Sequence, residues 1–217
     1  MNMYRIQDAL QEIINRKPHI TELLGEGLVN IMELARMIKP ELERECMKEM
    51  TIESIAMAIR RMPKRRESKS LRHIFQSAPN ITVRCDLVEY TFANSASLIP
   101  KKAALLQMIG QGYDNFFAIT QGVHETSCIL NTSKKDQLTN LIKGETVVAI
   151  ATNLTAVTIR LPPENVDTPG VYYHILRSLY QGGVNVVDVV STNMELTVIV
   201  TTGDDDKAFR LIKHLFD

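Results

Sequence analysis

LTAVTIRLPPENVDTPGVYYHILRSLYQGGVNVVDVVSTNMELTVIV, residues 154–200, carries the clearest pattern in this chain. Leu154–Leu161 reads as a strand. Asp167-Thr168-Pro169-Gly170-Val171 predicts a tight turn that opens a helix, Tyr172–Tyr180. Gly182-Gly183 predicts a second turn, and Val184–Val190 and Met194–Val200 two further strands. A strand followed by a turn and a helix sets backbone N–H groups beside the strand end. That arrangement suits a small anionic ligand such as an amino acid. No nucleophile with a base lies in the stretch, so it points to sensing rather than catalysis.

Working outward, the same order occurs just upstream. Leu87–Ala93 predicts a strand, Lys101–Gly110 a helix, and Asn115–Gln121 with Glu125–Leu130 a hairpin. Lys134–Ile142, capped by Ser133, predicts a helix and Thr146–Ala151 a strand. The second unit runs from Leu154 to the final helix Asp205–Phe216 and stops one strand short. Ile81–Cys85 has no place in the first unit. The economical solution is that it completes the second unit's sheet, with the first unit inserted into the second. The fold class expected is α+β: two ferredoxin-like βαββαβ units, helices on one face of each antiparallel sheet.

The first third is helical and free of strand signals. Apolar residues fall at helical spacing in Tyr4–Arg16, His19–Glu26 and Ile31–Ile38, with Asn30 as N-cap of the last. Pro40 either kinks one long helix or starts a continuation, Glu41–Met47. Thr51 caps Ile52–Met62. The expected domains are 1–66, an all-α helix-turn-helix-like domain; 67–79, a linker in which Leu71–Ala78 forms a short helix; 80–152, the first unit; and 153–217, the second.

Residues Val157-Thr158-Ile159, Thr168-Pro169-Gly170-Val171, Gly183 to Asp188, Ser191-Thr192-Asn193 and Glu195 to Val198 together resemble an ACT domain, the amino-acid-binding regulatory module. The arrangement is similar to the tandem ACT regulatory region of aspartate kinases, where one repeat is also inserted in the other. No kinase domain is present; helices occupy its place. The first repeat departs from the pattern, with Ser97-Leu98-Ile99-Pro100 at the Pro-Gly turn and Gln121 to His124 at the Ser/Thr turn. The resemblance implies a ligand site at Asp167, Thr168, Pro169, Gly170 and Val171, with Asn185, Val186, Val187 and Asp188. Amides of Gly170 and Val171 would hold a carboxylate, and Asp188 or Asn185 an ammonium group.

Asn30–Glu45 followed by Thr51–Arg61 has the cadence of a helix-turn-helix. Arg60, Arg61, Lys64, Arg65 and Arg66 are its candidate phosphate contacts. Against DNA stand a turn without Gly and the acidic Glu41, Glu43, Glu45 and Glu49, so docking of a partner protein stays open beside it.

Composition bounds the rest. Among 217 residues, 25 Lys and Arg balance 25 Asp and Glu, so no global basic field draws in nucleic acid. Cys46, Cys85 and Cys128 form no CxxC pair and are expected as buried small hydrophobes in a reducing compartment. No apolar run approaches the roughly 20 residues of a membrane span, and Met1–Asp8 has no signal-peptide core, so a cytoplasmic protein is expected. The five His show no metal-ligand spacing, and Asp204-Asp205-Asp206 is expected to cap the last helix. No catalytic residue, metal or cofactor is expected. The expectation is a non-enzymatic homodimer that binds an amino acid and relays this to a helical output domain. The alternative is a structural dimerisation subunit that docks a partner and binds no ligand.

Overall fold

The computed structural model describes residues 6–63, 69–76, 80–109 and 115–217. Its contacts divide the chain into two compact units, Met1–Ser68 and Lys69–Asp217.

Among the described residues the first unit holds four helices: α1 (Ile6–Asn15), α2 (Pro18–Glu26), α3 (Ile31–Cys46) and α4 (Ile52–Arg61). The Asn30 side chain accepts from the amides of Met32 and Glu33, and Thr51 Oγ1 from that of Ser54, so both caps lie where the sequence places them. Pro40 lies inside one continuous α3, resolving the choice between a kinked helix and a restart. Leu10, Ile13, Ile14, Leu34, Ile38, Leu42, Ile55 and Ile59 form the buried core.

The second unit begins with α5 (Lys69–Gln76), earlier than the expected Leu71. Residues 69–76, expected within a linker, belong here because Leu71 and Ile74 are buried in this unit's core. Six strands follow: β1 (Asn80–Ala93), β2 (Phe117–Gln121), β3 (Glu125–Asn131), β4 (Val147–Arg160), β5 (Val186–Ser191) and β6 (Glu195–Thr201). They form one antiparallel sheet in the order β2-β3-β1-β4-β6-β5. The helices are α6 (Leu98–Ile109), α7 (Lys135–Leu141), α8 (Val171–Gln181) and α9 (Asp205–Lys213).

Ile81–Cys85 and Leu87–Ala93, expected as two strands, are one strand, as are Thr146–Ala151 and Leu154–Leu161. Each long strand carries one residue at positive φ, Asp86 at 58° and Asn153 at 56°. In β1 this coincides with a register shift between Arg84 and Leu87. Such a bulge reverses the alternation of side chains. Ile81 packs with the second half's helices, whereas Val88, Tyr90 and Phe92 pack with the first half's. Asn80–Arg84 pairs with Arg160–Ala156, and Leu87–Ala93 with Asn131–Glu125, so β1 serves both halves.

The core has three parts in this unit. Val157, Ile159, Leu196, Val198 and Val200 meet α5, α8 and α9. Val88, Tyr90, Phe92, Cys128 and Leu130 meet α6 and α7. Leu87, Ile129, Leu154, Ala156 and Ile199 form a third cluster. Cys128 is buried, Cys46 half-buried and Cys85 exposed, so the expectation of three buried thiols fails at Cys85. Asp204 is N-cap of α9 by position, but its carboxylate makes no cap hydrogen bond. Among the described residues no helix is long and apolar enough to cross a membrane, and no cluster of three His, Cys, Asp or Glu could hold a metal.

Candidate ligand cleft

Strand β4 ends at Arg160 and helix α8 begins at Val171. The connecting loop is long but tied down. Asn165 Nδ2 donates to Pro162 O at 2.8 Å and to Asn193 O at 3.0 Å. Thr168 Oγ1 donates to Glu164 O at 2.7 Å. The Leu161 amide donates to Met194 O at 2.8 Å. The loop is thus fastened to the turn between β5 and β6, which Thr192 N–H closes on Glu195 O at 2.9 Å. Asn165 and Thr168 are among the few buried polar residues, and both are satisfied by backbone.

Between loop and turn lies a cleft of about 480 Å³, lined by Asn165, Val166, Thr168, Gly170, Val171, Tyr172, Tyr173, Thr192 and Asn193. Gly170 is the N-cap of α8 at φ 100°, a conformation L side chains rarely adopt. It offers no side chain to the first turn of α8, so the Val171 and Tyr172 amides have neither an intrahelical nor a side-chain cap partner. His174 packs against Phe75, ring centroids 5.8 Å apart, and Arg177 lies 5.8 Å from the Tyr173 ring centroid. The arrangement can receive an anion at the helix start and an apolar or polar body along the tyrosines. It presents no nucleophile beside a base.

Thr168, Gly170 and Val171 therefore line one cleft. Asp167 and Pro169 are exposed loop residues outside its lining. Asn185, Val186, Val187 and Asp188 are not brought to it. Asn185 precedes β5, and the cleft meets the opposite end of that strand at Thr192. Val187 packs in the third cluster at a bulge between Val186 and Asp188. Asp188 Oδ1 accepts the Val189 amide at 2.6 Å and faces Glu89 of β1. Burial, then the charge and hydrogen bonding of Asp188, push the Glu89 carboxyl up, against the Ser127 hydroxyl that donates to it. β4 and β6 separate β1 from β5 in the sheet, so this meeting requires the sheet to curl.

Sequence reasoning missed Asn165, Val166, Tyr172 and Tyr173 as cleft residues. It used Thr192 and Asn193 only as marks of resemblance. Their signal is the polar pair in a hairpin turn next to the strand end. The candidate nucleic-acid residues Arg60 and Arg61 are exposed at the end of α4, while Lys64, Arg65 and Arg66 lie outside the described residues.

No family model and no curated protein matches this chain. Solved structures share its fold. One is the ligand-free regulatory subunit of aspartate kinase from Thermus thermophilus, 14% identical, with a TM-score of 0.54 over 65% of this chain and all of that one. Another is Clostridium acetobutylicum aspartate kinase, 19% identical, with a TM-score of 0.53 over 64% of this chain and 34% of that one. A third is the regulatory subunit from Thermus flavus, 12% identical, with a TM-score of 0.52 over 65% of this chain and all of that one. Two of these three are thus regulatory subunits.

Proposed function

We propose that this chain is a non-enzymatic regulatory protein whose second unit binds an amino acid at the cleft between the β4–α8 loop and the β5–β6 turn. In this reading the six-stranded sheet comprises two ferredoxin-like ACT units, and Asn80–Arg84 supplies the fourth strand of the second. The observation that carries it is the uncapped start of α8 at Gly170, opening into the cleft. An α-carboxylate would accept from the Val171 and Tyr172 amides at the positive end of the helix. Thr192 and Asn193 lie on the cleft wall to meet polar parts of the ligand, and Asn165 holds that wall in place.

The chain would act as a homodimer. Strand β5 is an open edge, and Tyr172, Tyr173 and Val189 are exposed near it. Edges of this kind are covered by pairing. The four-helix unit would be the output, with Arg60 and Arg61 available to phosphate or to an acidic partner. Ligand binding biases that output only if the two output states differ in affinity for the ligand.

Thermal unfolding of the full chain with each of the twenty amino acids tests the reading. A ligand at 100 times its dissociation constant adds about 2.7 kcal/mol, enough to raise the melting temperature by several degrees. Gly170→Val, whose side chain is strained at φ 100°, should lose that shift while keeping the far-ultraviolet dichroism. No shift with any amino acid would leave the sheet as a dimerisation module.

A further inference from the structure

The four-helix unit contains a cavity of its own, of about 220 Å³. Ile14 of α1, Leu24 of α2, Val29 of the following turn, Ile31 of α3 and Ile59 of α4 make its apolar walls. Gln11 and Asn15 also line it and hydrogen-bond to each other, and two further polar groups stand out. The Thr21 hydroxyl on α2 is buried and, among the described residues, finds no hydrogen-bond partner. A buried hydroxyl without a partner is destabilising, and native proteins rarely keep one without cause. Arg60 also lines the cavity; it is exposed, and its guanidinium makes no ion pair or hydrogen bond among the described residues. In this unit Arg16 pairs with Glu12 and Glu45, and Arg36 with Glu33, whereas the guanidinium groups of Arg44, Arg60 and Arg61 make no ion pair among the described residues; of these three only Arg60 lines the cavity.

Size and chemistry limit the occupant. The volume lies below the roughly 300–1,000 Å³ of pockets for drug-sized ligands. At protein packing density it holds about eight non-hydrogen atoms. The walls call for an aliphatic body, the guanidinium for an anion, and the orphan hydroxyl for an acceptor.

We propose that the helical unit binds a small aliphatic monocarboxylate of about six carbons, its chain among Ile14, Leu24 and Ile59, its carboxylate held by Arg60 and the Thr21 hydroxyl. This site is separate from the cleft of the second unit and does not rest on it. A chain responding to such an acid would carry one sensor in each unit.

Titration calorimetry of the full chain with hexanoate tests the site, with acetate and hexan-1-ol as comparators. Hexanoate is expected to bind one per chain, acetate not at all, and hexan-1-ol more weakly. Thr21→Val keeps the shape and removes the donor, and should weaken hexanoate about fivefold. Arg60→Gln removes the charge and should weaken hexanoate by about tenfold or more while leaving hexan-1-ol unchanged. Methyl resonances of Ile14 and Ile59 should move on titration, and that of Ile175 in the second unit should not. No saturable binding of hexanoate, equal affinity across both variants, or shifts at Ile175 instead would each overturn the proposal.

Discussion

The second unit contains two strand-to-helix loops at corresponding places in its two halves, and they are built in opposite ways. After β1, the loop is closed by the chain itself. Ser95 Oγ accepts the Leu98 amide at 3.1 Å and donates to Glu145 Oε2 at 2.6 Å. Lys101 Nζ donates to Glu145 Oε1 at 2.6 Å and to Lys143 O at 2.8 Å. The Glu145 side chain is only 1% exposed. After β4, the helix starts at a glycine with no cap, and a cleft opens beside it. The first loop thus holds an internal carboxylate and an internal ammonium, the two groups that an amino acid would bring. The second leaves its helix start to solvent or ligand. A fold can repeat while the chemistry of the repeated place is filled in one copy and left open in the other.

Glu145→Gln should produce the largest effect. The Lys101 and Ser95 hydrogen bonds hold the Glu145 carboxyl down at about 2, against about 4.3 in an unfolded chain. A depressed carboxyl contributes stability that is present above the unfolded value. That contribution is lost as pH falls from about 4.3 to about 2. Urea midpoints measured from pH 7 to pH 2 should therefore drop steeply in the native chain. In Glu145→Gln they should start lower and fall less over that window, because a neutral amide leaves Lys101 uncompensated at every pH. Parallel profiles for the two proteins would break the comparison at its closed end.

Asn165→Ala tests the open end and should do less. It removes two hydrogen bonds that fasten the loop to Pro162 and Asn193. The expected cost is about 2 kcal/mol, a fall of about 4–8 °C in melting temperature. Hydrogen exchange should quicken at the Thr192 amide while the Leu98 amide, in the closed loop, keeps its rate. Equal changes at both amides would mean that the loops are not independent.

What the sequence makes legible is local. Pro169-Gly170 before a helix, the N-caps Asn30 and Thr51, and the α+β alternation all arise from neighbours in the chain. Counting strands also places Ile81–Cys85 beside Leu154–Leu161, because a sheet with one strand too few and one strand unplaced has one economical pairing. The joins are less legible. Asp86 and Asn153 look like breaks because polar residues that tolerate positive φ are read as turns, yet here they are bulges inside long strands. The closing of the first loop depends on Glu145, 50 residues after Ser95 in the chain, and no spacing rule links them. The cleft wall at Asn193 is likewise reached only through β5 and β6. Asp188 shows the limit of resemblance. Its place in a strand next to the loop suggested an ammonium partner, whereas the curled sheet sets it against Glu89.

That pair yields the smallest predicted effect and the opposite sign. Glu89 is pushed up by burial first and by Asp188 second, with the Ser127 hydroxyl pulling the other way. A carboxyl raised above its unfolded value binds its proton more tightly in the folded chain. It favours folding at low pH, and this advantage is lost as pH rises from about 4.3 through its raised value. Asp188→Asn removes the like charge but keeps a side chain of similar shape. Near pH 7 the variant should be more stable by about 0.5 kcal/mol, a small gain because both side chains are half-exposed and screened. The difference should shrink as pH falls and Glu89 takes up its proton. The native chain thus contains one carboxylate that acid disarms, Glu145, and one carboxyl that acid relieves, Glu89. If Asp188→Asn instead destabilises at pH 7, Asp188 serves the fold through its bond to the Val189 amide, and the meeting with Glu89 carries no net repulsion.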